Sequence, residues 1–340
     1  MCKIKILITG GAGFIGSNFI RHLISKNSNI EILNLDKITY AGNLANLKDI
    51  EKNSNYTFVR GDICNKDLVN KLSKNCDAII NFAAETHVDR SIFNAEPFIK
   101  TDIEGTYVLL EAARKFQIKK VIQISTDEVY GSIDKGSFKE NDCLNPNSPY
   151  ASSKASADLM VKAFYKTFGV PTVIIRSTNN FGPYQHPEKL IPLFITNLIE
   201  NKKVPLYGRG TNVRDWIYVE DNCEAIRFIL NKGLPGEIYN VAGGNEKQNI
   251  EITRFILKYL KKEESFIEHV KDRPGHDLRY SLDCTKLKKL GWNPKFRFED
   301  AMKKTIEWYK NNMQWWQKTK NEDSDFREKW YAGLRAQKSI

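Results

Sequence analysis

No apolar stretch in this chain comes near the roughly 20 residues a helix needs to cross a bilayer, so the sequence predicts a soluble protein with no membrane partner. The six cysteines (Cys2, Cys64, Cys76, Cys143, Cys223 and Cys284) are widely separated and form no C-x-x-C pair. That removes the ligand spacing of a zinc site and the framework of a disulfide-held fold, and no metal is expected. No secretory leader precedes the first short apolar run, so a reduced, cytoplasmic chain is expected. Internal repeats and long linkers are missing as well. With 41% apolar and 27% charged residues over 340 positions, the chain is neither disordered nor collagen-like. It is long enough for one large domain or two modest ones. Acid is scarcer than base: 52 Lys and Arg against 41 Asp and Glu leave a net charge of +11. Such an excess invites anionic partners, but the lysines are spread over surface-like stretches rather than gathered in a block. No RNP-like or helix-turn-helix pattern accompanies them, and no nucleic-acid partner is expected.

What is present is an alternation of two periods. Short β-branched runs lie at residues 4–9, 30–36, 56–59, 78–83, 121–125 and 172–176, with helix-like stretches at 17–25, 97–116 and 149–168 between several of them. Strands alternating with helices imply crossover connections, hence a parallel sheet covered on both faces. The unbroken apolar character of Ile6-Leu7-Ile8 and of residues 121–124 suits strands buried on both sides. After Phe181-Gly182-Pro183-Tyr184 the texture changes to short elements with polar turns, and helices are expected at 190–201, 219–230, 250–260 and 298–310. The fold class is therefore α/β: a doubly wound, Rossmann-type parallel sheet in residues 1–182, and a smaller mixed α/β lobe in 183–340 from which some segments return to the first domain. The tail from residue 310 carries Trp315, Trp316, Trp330 and Tyr331 among charges, which core packing or an interface explains better than a binding cage.

Gly10-Gly11-Ala12-Gly13-Phe14-Ile15-Gly16 directly follows the first strand and opens a helix. Glycines here permit a tight turn and let backbone N–H groups approach a pyrophosphate at the positive end of the helix. Alone the motif is weak, but strand, helix and a second strand ending at Asp36 fall where that mechanism needs them. A carboxylate at Asp36 can accept from both ribose hydroxyls and would repel a 2′-phosphate, which favours NAD over NADP, although Lys37 blurs the preference. Asp62-Ile63, ending the next strand, is placed to meet the adenine; equally, Asp62 can merely cap the following helix.

Tyr150 and Lys154 stand four apart, on one face of a helix. A phenol with an ordinary pKa near 10 is too weak a base at neutral pH. A neighbouring ammonium together with a positive nicotinamide would favour its ionised form. Tyr-x-x-x-Lys is common on surface helices and gains meaning here from the dinucleotide fingerprint before it. More distinctive is Ser125-Thr126-Asp127-Glu128-Val129-Tyr130-Gly131, a hydroxyl followed by two acids at the carboxyl edge of a buried strand. Folding does not need that costly arrangement; the plain alternative is a helix cap or an exposed turn.

These segments together resemble the extended short-chain dehydrogenase/reductases and, within them, the dTDP-glucose 4,6-dehydratases and their UDP-glucose-using relatives. The likeness rests on residues 8–17, 36–43, 83–91, 125–131, 150–154, 179–183, 187–192, 213–221 and 272–277, and extends to about Tyr309. It implies conversion of a nucleotide-linked glucose to its 4-keto-6-deoxy product plus water, with NAD regenerated in each cycle. By that resemblance Tyr150 deprotonates the C4 hydroxyl, Glu128 removes the C5 proton, and protonated Asp127 donates to the departing C6 hydroxyl. Thr126 bonds the C4 oxygen, and Lys154 holds the ribose and tunes Tyr150. The two adjacent acids must then differ in protonation state. Cofactor contacts are implied for Gly10, Gly13, Phe14, Ile15, Gly16, Asp36, Lys37, Thr39, Asp62, Ile63, Ala83, Ala84, Thr86, Thr101, Tyr150, Lys154 and Asn180. Contacts to the sugar nucleotide are implied for His87, Thr126, Asn179, Lys189, Leu190, Pro205, Tyr207, Arg214, Asn249, Arg273 and His276. Arg214 and Arg273 suit a diphosphate and Tyr207 can stack on a pyrimidine, while Leu190 and Pro205 can equally just pack and His276 can be a core histidine. Phe181 stands where relatives often carry Tyr. A homodimer through helices of the first domain is also implied. Two rivals remain: a nucleotide-sugar 4-epimerase, which has no use for an acid–base pair at Asp127 and Glu128, and a non-catalytic dinucleotide-binding module.

Overall fold

The computed structural model describes residues 3–322 and 329–333; Cys2 lies outside them. The large sheet has strands β1 (Ile4–Thr9), β2 (Ile30–Asp36), β3 (Tyr56–Arg60), β4 (Ala78–Asn81), β5 (Lys120–Thr126) and β6 (Thr172–Ser177). Past the small-lobe strands β7 (Asn179–Phe181), β8 (Val204–Tyr207) and β9 (Val213–Tyr218), the chain returns to it as β10 (Ile238–Val241). The seven strands run in the order β10-β6-β5-β4-β1-β2-β3, every pair parallel. The reason is visible along β1. Ile6 and Ile8 face one apolar core while Leu7 faces the other, so both sides of the sheet need a covering layer. β1 has β2 on one side and β4 on the other, so successive crossovers leave in opposite directions and open a crevice at the carboxyl ends.

The helix Phe14–Lys26 packs beside the helix Val219–Lys232, the His22 ring 2.8 Å from Glu224, and so ties the first crossover to the second half of the chain. The smaller lobe contains an antiparallel-and-parallel sheet, β11 (Glu246–Gln248) with β9 and β7, and a two-stranded parallel pair of β8 with β12 (Ile267–Val270). A strand on each side of residue 182 thus belongs elsewhere than a clean cut there would place it: β7 pairs in the small sheet and β10 in the large one. Trp316 is wholly buried, its indole N–H donating to Tyr309 O, and Trp315 donates to Asn46 Oδ1.

One expected helix differs in kind. Residues 97–116 are not a single α-helix: Glu96–Phe98 leads into a π-helical stretch, Ile99–Gly105, before the α-helix Thr106–Lys115. A π-bulge takes up an extra residue and often marks a functional site. Here Thr101 lines the crevice while Asp102, beside it, bonds inward to Glu85 N and Ser153 Oγ.

Candidate active site

The crevice between β1 and β4 is bordered by backbone before anything else. Gly10 has φ +69°, and a Cβ added there would meet Ala83 N at 2.5 Å; at Gly16 it would meet Gly10 O at 2.4 Å. Gly13, the N-cap of Phe14–Lys26, is different. A Cβ there would find only Gly10 O at 3.3 Å, yet the residue borders the crevice, so the room it leaves is not filled by protein. This is the space and the helix terminus that a pyrophosphate requires. Asp36 closes β2 with its carboxylate accepting from Ala12 N (2.9 Å) and Ile38 N (2.8 Å). Burial pushes its pKa up and those two bonds oppose the rise. Lys37 is paired with Asp62 at 2.7 Å, which neutralises the charge that blurred the preference for NAD over NADP. Asp62 does not cap the next helix: Asn65 does, bonding Leu68 N. The carboxamide oxygens of Asn179 and Asn180, also bordering the crevice, are buried with no hydrogen-bond partner among the described residues. The residues present therefore fit NAD.

The same crevice gathers Phe14, Ile15, Thr39, Ile63, Ala83, Ala84, Thr86 and Thr101 with Thr126, Asp127, Glu128, Tyr150, Lys154 and Lys189. β5 ends at Thr126, whose hydroxyl caps the 3-10 turn Asp127–Tyr130, the turn that holds both acids at the sheet edge. Asp127 is 2% exposed. Its Oδ1 accepts from Thr126 Oγ1 at 3.1 Å and its Oδ2 has no partner among the described residues. Burial first, then the charge of Glu128, raises its pKa to about 8. Burial raises that of Glu128 too, but the cations of Arg273, Arg214 and Lys189 pull it back. Both carboxyls are raised, but one cation, Arg214, opposes the rise at Asp127 and three oppose it at Glu128, so the neighbouring acids sit in unlike surroundings.

The phenol of Tyr150 is set among acids. Burial, then Glu128, Asp102 and Asp127, raise its phenol well above the ordinary value, with a hydrogen bond to Thr126 the only opposing cause of size. Lys154 spends its ammonium on Ile124 O at 2.8 Å. Within the protein alone, then, burial and three carboxyls favour the neutral phenol. The buried Asp102, raised to about 6 chiefly by burial, links the Glu85 backbone to Ser153 one turn beyond Tyr150.

The remaining expected residues lie around the smaller lobe. Lys189 donates to Thr86 O at 2.5 Å. His87 and His186 flank buried Glu188, whose pKa is lowered to about 2 because those imidazoles, Lys189 and Arg90 overcome the effect of burial. Arg214 donates to Asp277 O and Val213 O, with its guanidinium 4.1 Å from the Tyr280 ring centre. Arg273 reaches Asp89 at 2.8 Å, as does Tyr207 at 2.7 Å. His276 pairs with Asp272 at 2.6 Å, its ring edge-on to Tyr207. Asn249 opens a helix with its side-chain oxygen buried and unpartnered among the described residues. Leu190 packs against the main core, and Pro205 sits in β8 opposite Glu268. Of the expected sugar-nucleotide residues, Thr126, Asn179 and Lys189 share the cofactor crevice and the others do not border it. Sequence reasoning passed over Asp89, Glu188, Tyr280 and Asp102. The signal for Asp89 and Glu188 was present in segments 83–91 and 187–192, as acids beside basic residues, but their partners are distant in the chain.

The family described as GDP-mannose 4,6 dehydratase matches residues 7–305. A dTDP-glucose 4,6-dehydratase of Streptomyces niveus is 49% identical over 324 residues, covering 94% of this chain and 96% of that one. The low-salt glycan biosynthesis protein Agl12 of Haloferax volcanii is 51% identical over 304 residues, covering 89% and 98%. The crystal structure of DesIV, a dTDP-glucose 4,6-dehydratase from Streptomyces venezuelae with NAD and TYD bound, superposes with a TM-score of 0.92 at 47% identity, over 93% of this chain and 100% of that one. With a matching profile over most of its length, and with an acid pair beside Tyr150 and Lys154 at the mouth of a dinucleotide crevice, the chain belongs to the nucleotide-sugar 4,6-dehydratase family.

Proposed function

We propose that this protein is an NAD-dependent hydro-lyase that converts dTDP-glucose to its 4-keto-6-deoxy derivative and water. The observation that carries the reading is the adjacent pair at the sheet edge, Asp127 buried and Glu128 half-buried, in unlike electrostatic surroundings. Bound NAD would supply a reversible hydride acceptor, taking the hydride of C4 and giving it back at C6, and Asp36, the glycine turn and Lys154 would hold it. Tyr150 takes the proton of the C4 hydroxyl. The ketone at C4 acidifies the adjacent C5–H, and Glu128 removes that proton. Asp127, protonated at neutral pH, gives its proton to the C6 hydroxyl, which leaves as water. Glu128 later returns its proton to C5. After one cycle Tyr150 has gained a proton and Asp127 has lost one. Thr126, bonded to both, bridges the path by which the balance is restored.

A 4-epimerase would need Tyr150, Lys154 and a hydroxyl but no acid at Asp127, which is why the dehydratase reading is favoured. The test is Glu128→Gln. C4 oxidation should survive and elimination should fall by about 1,000-fold, so reduced cofactor accumulates after substrate is added. Turnover at the parent rate would remove Glu128 from the reaction. Mass spectrometry of products from dTDP-glucose and UDP-glucose, offered together, decides both the nucleotide and the loss of water.

The working unit is a homodimer. Phe93, Ile99, Tyr107 and Leu159 expose 77%, 57%, 42% and 56% of their surface on neighbouring helices of the large domain, an apolar strip that a second copy would cover. Light scattering at twice the chain mass supports this; a monomer at working concentration removes it. Five cysteines, free among the described residues, are consistent with a cytoplasmic site of action.

A further inference from the structure

The aromatic tail is the one feature of the sequence that the reaction does not absorb, and only part of it is core. Trp315 and Trp316 pack inward, but Trp330, on the short helical segment 329–333, is directed to the smaller lobe. Its indole N–H donates to the hydroxyl of Tyr207 at 2.8 Å. Next to it, the ring of Tyr331 lies 6.1 Å from that of Tyr207, inclined by 33°. Tyr207 ends β8, and His276 meets its ring from the side at 5.9 Å.

We infer that Trp330 is a positioning residue for the nucleotide end of the substrate site, acting through Tyr207. This rests on the reading of Tyr207 as the ring against which the base lies. An indole N–H only donates, and a phenol has a single proton. By occupying an acceptor lone pair of Tyr207, Trp330 leaves the phenol proton for Asp89, which it meets at 2.7 Å. The other oxygen of Asp89 takes Arg273 at 2.8 Å. The donor chain from the tail through Tyr207 and the guanidinium of Arg273, an arginine suited to a diphosphate, thus converge on one carboxylate, Asp89, each link polarising the next. The hydroxyl is pinned from two directions, so the ring keeps one plane before any ligand arrives, and the ordering cost of binding is reduced. Neither Trp330 nor Tyr331 borders the crevice that holds Asp127, Glu128 and Tyr150. The effect should therefore fall on binding and leave the chemical steps alone.

The test uses the full chain loaded with NAD. Trp330→Phe keeps an aromatic ring and deletes the donor. It should raise KM for dTDP-glucose and Kd for dTDP about fivefold, the size expected of one neutral hydrogen bond, with kcat within about twofold of the parent. Lys329→Ala, an exposed neighbour, should change neither. In a Tyr207→Phe background Trp330→Phe should add nothing, because the shared hydroxyl is already gone. An unchanged KM in Trp330→Phe overturns the inference. So does an effect undiminished in the Tyr207→Phe background, or a KM rise matched by equal losses of kcat and thermal midpoint. Tyr207→Ala separates the underlying reading. If it leaves Kd for dTDP unchanged, Tyr207 is not the base platform; if it weakens dTDP while Trp330→Phe does not, only the tail's role fails.

Discussion

The two halves of the site are made of different materials. On the large-sheet side the cofactor crevice is shaped by main chain: glycines at 10, 13 and 16, the start of a helix, and the backbone N–H groups that hold Asp36. On the small-lobe side the corresponding surface is made of charged side chains holding one another. Arg273 and Tyr207 meet on Asp89, and at the boundary His87, His186 and Arg90 surround Glu188, which itself borders the cofactor crevice. A backbone cradle needs particular residues only where a side chain would intrude. An ionic network fails when any member loses its partner. The first kind of site is set by local sequence and the second by tertiary neighbours.

The contrast is open to direct attack. The largest effect is expected for Gly16→Val, whose side chain would begin 2.4 Å from Gly10 O. NAD affinity should drop by at least about 100-fold, by the steric exclusion that makes this glycine necessary, and isothermal titration measures it. Parent-like NAD binding by a folded variant would refute the backbone account. Next is Asp89→Ala, which strands Arg273 in a largely buried position and should cost about 3 kcal/mol of stability, read by denaturant unfolding. KM for the sugar nucleotide should rise with it while NAD affinity stays at the parent level; an equal loss of NAD binding would mean that the halves are not separable. The smallest effect is graded by pH and concerns Asp127, where the halves meet. An acid must be protonated to give its proton. With its pKa raised to about 8, Asp127 is competent below that pH and loses function above it. The elimination step should be flat near neutrality and fall about tenfold per unit well above pH 8, as followed by stopped-flow at saturating substrate. A decline beginning near pH 4, the ordinary carboxyl range, would show that Asp127 is not held protonated.

The same division explains what could be read from the sequence. The strands and the glycine turn are legible because each is a local pattern: an apolar run, then glycines, then a helix. Every residue expected at the cofactor borders one crevice because the carboxyl ends of parallel strands lie side by side. The π-helical stretch at Ile99–Gly105 was not legible; apolar spacing there suits an ordinary helix, and what redirects it is the pair of contacts from Asp102 to Glu85 and Ser153. Asp89 was passed over because its partner Arg273 stands 184 positions away. Tyr-x-x-x-Lys shows only part of what surrounds Tyr150. The spacing reveals the lysine but not the three carboxyls that fold brings around the phenol.

The path of the chain between the two sheets has a further consequence. After Ser177 it enters the small sheet at β7, comes back to the edge of the large one at β10, and leaves again for β11 within a few residues. Such stitching denies the lobes a single hinge about which to swing apart. Relative motion of the two sheets must then bend several chain segments at once rather than one linker.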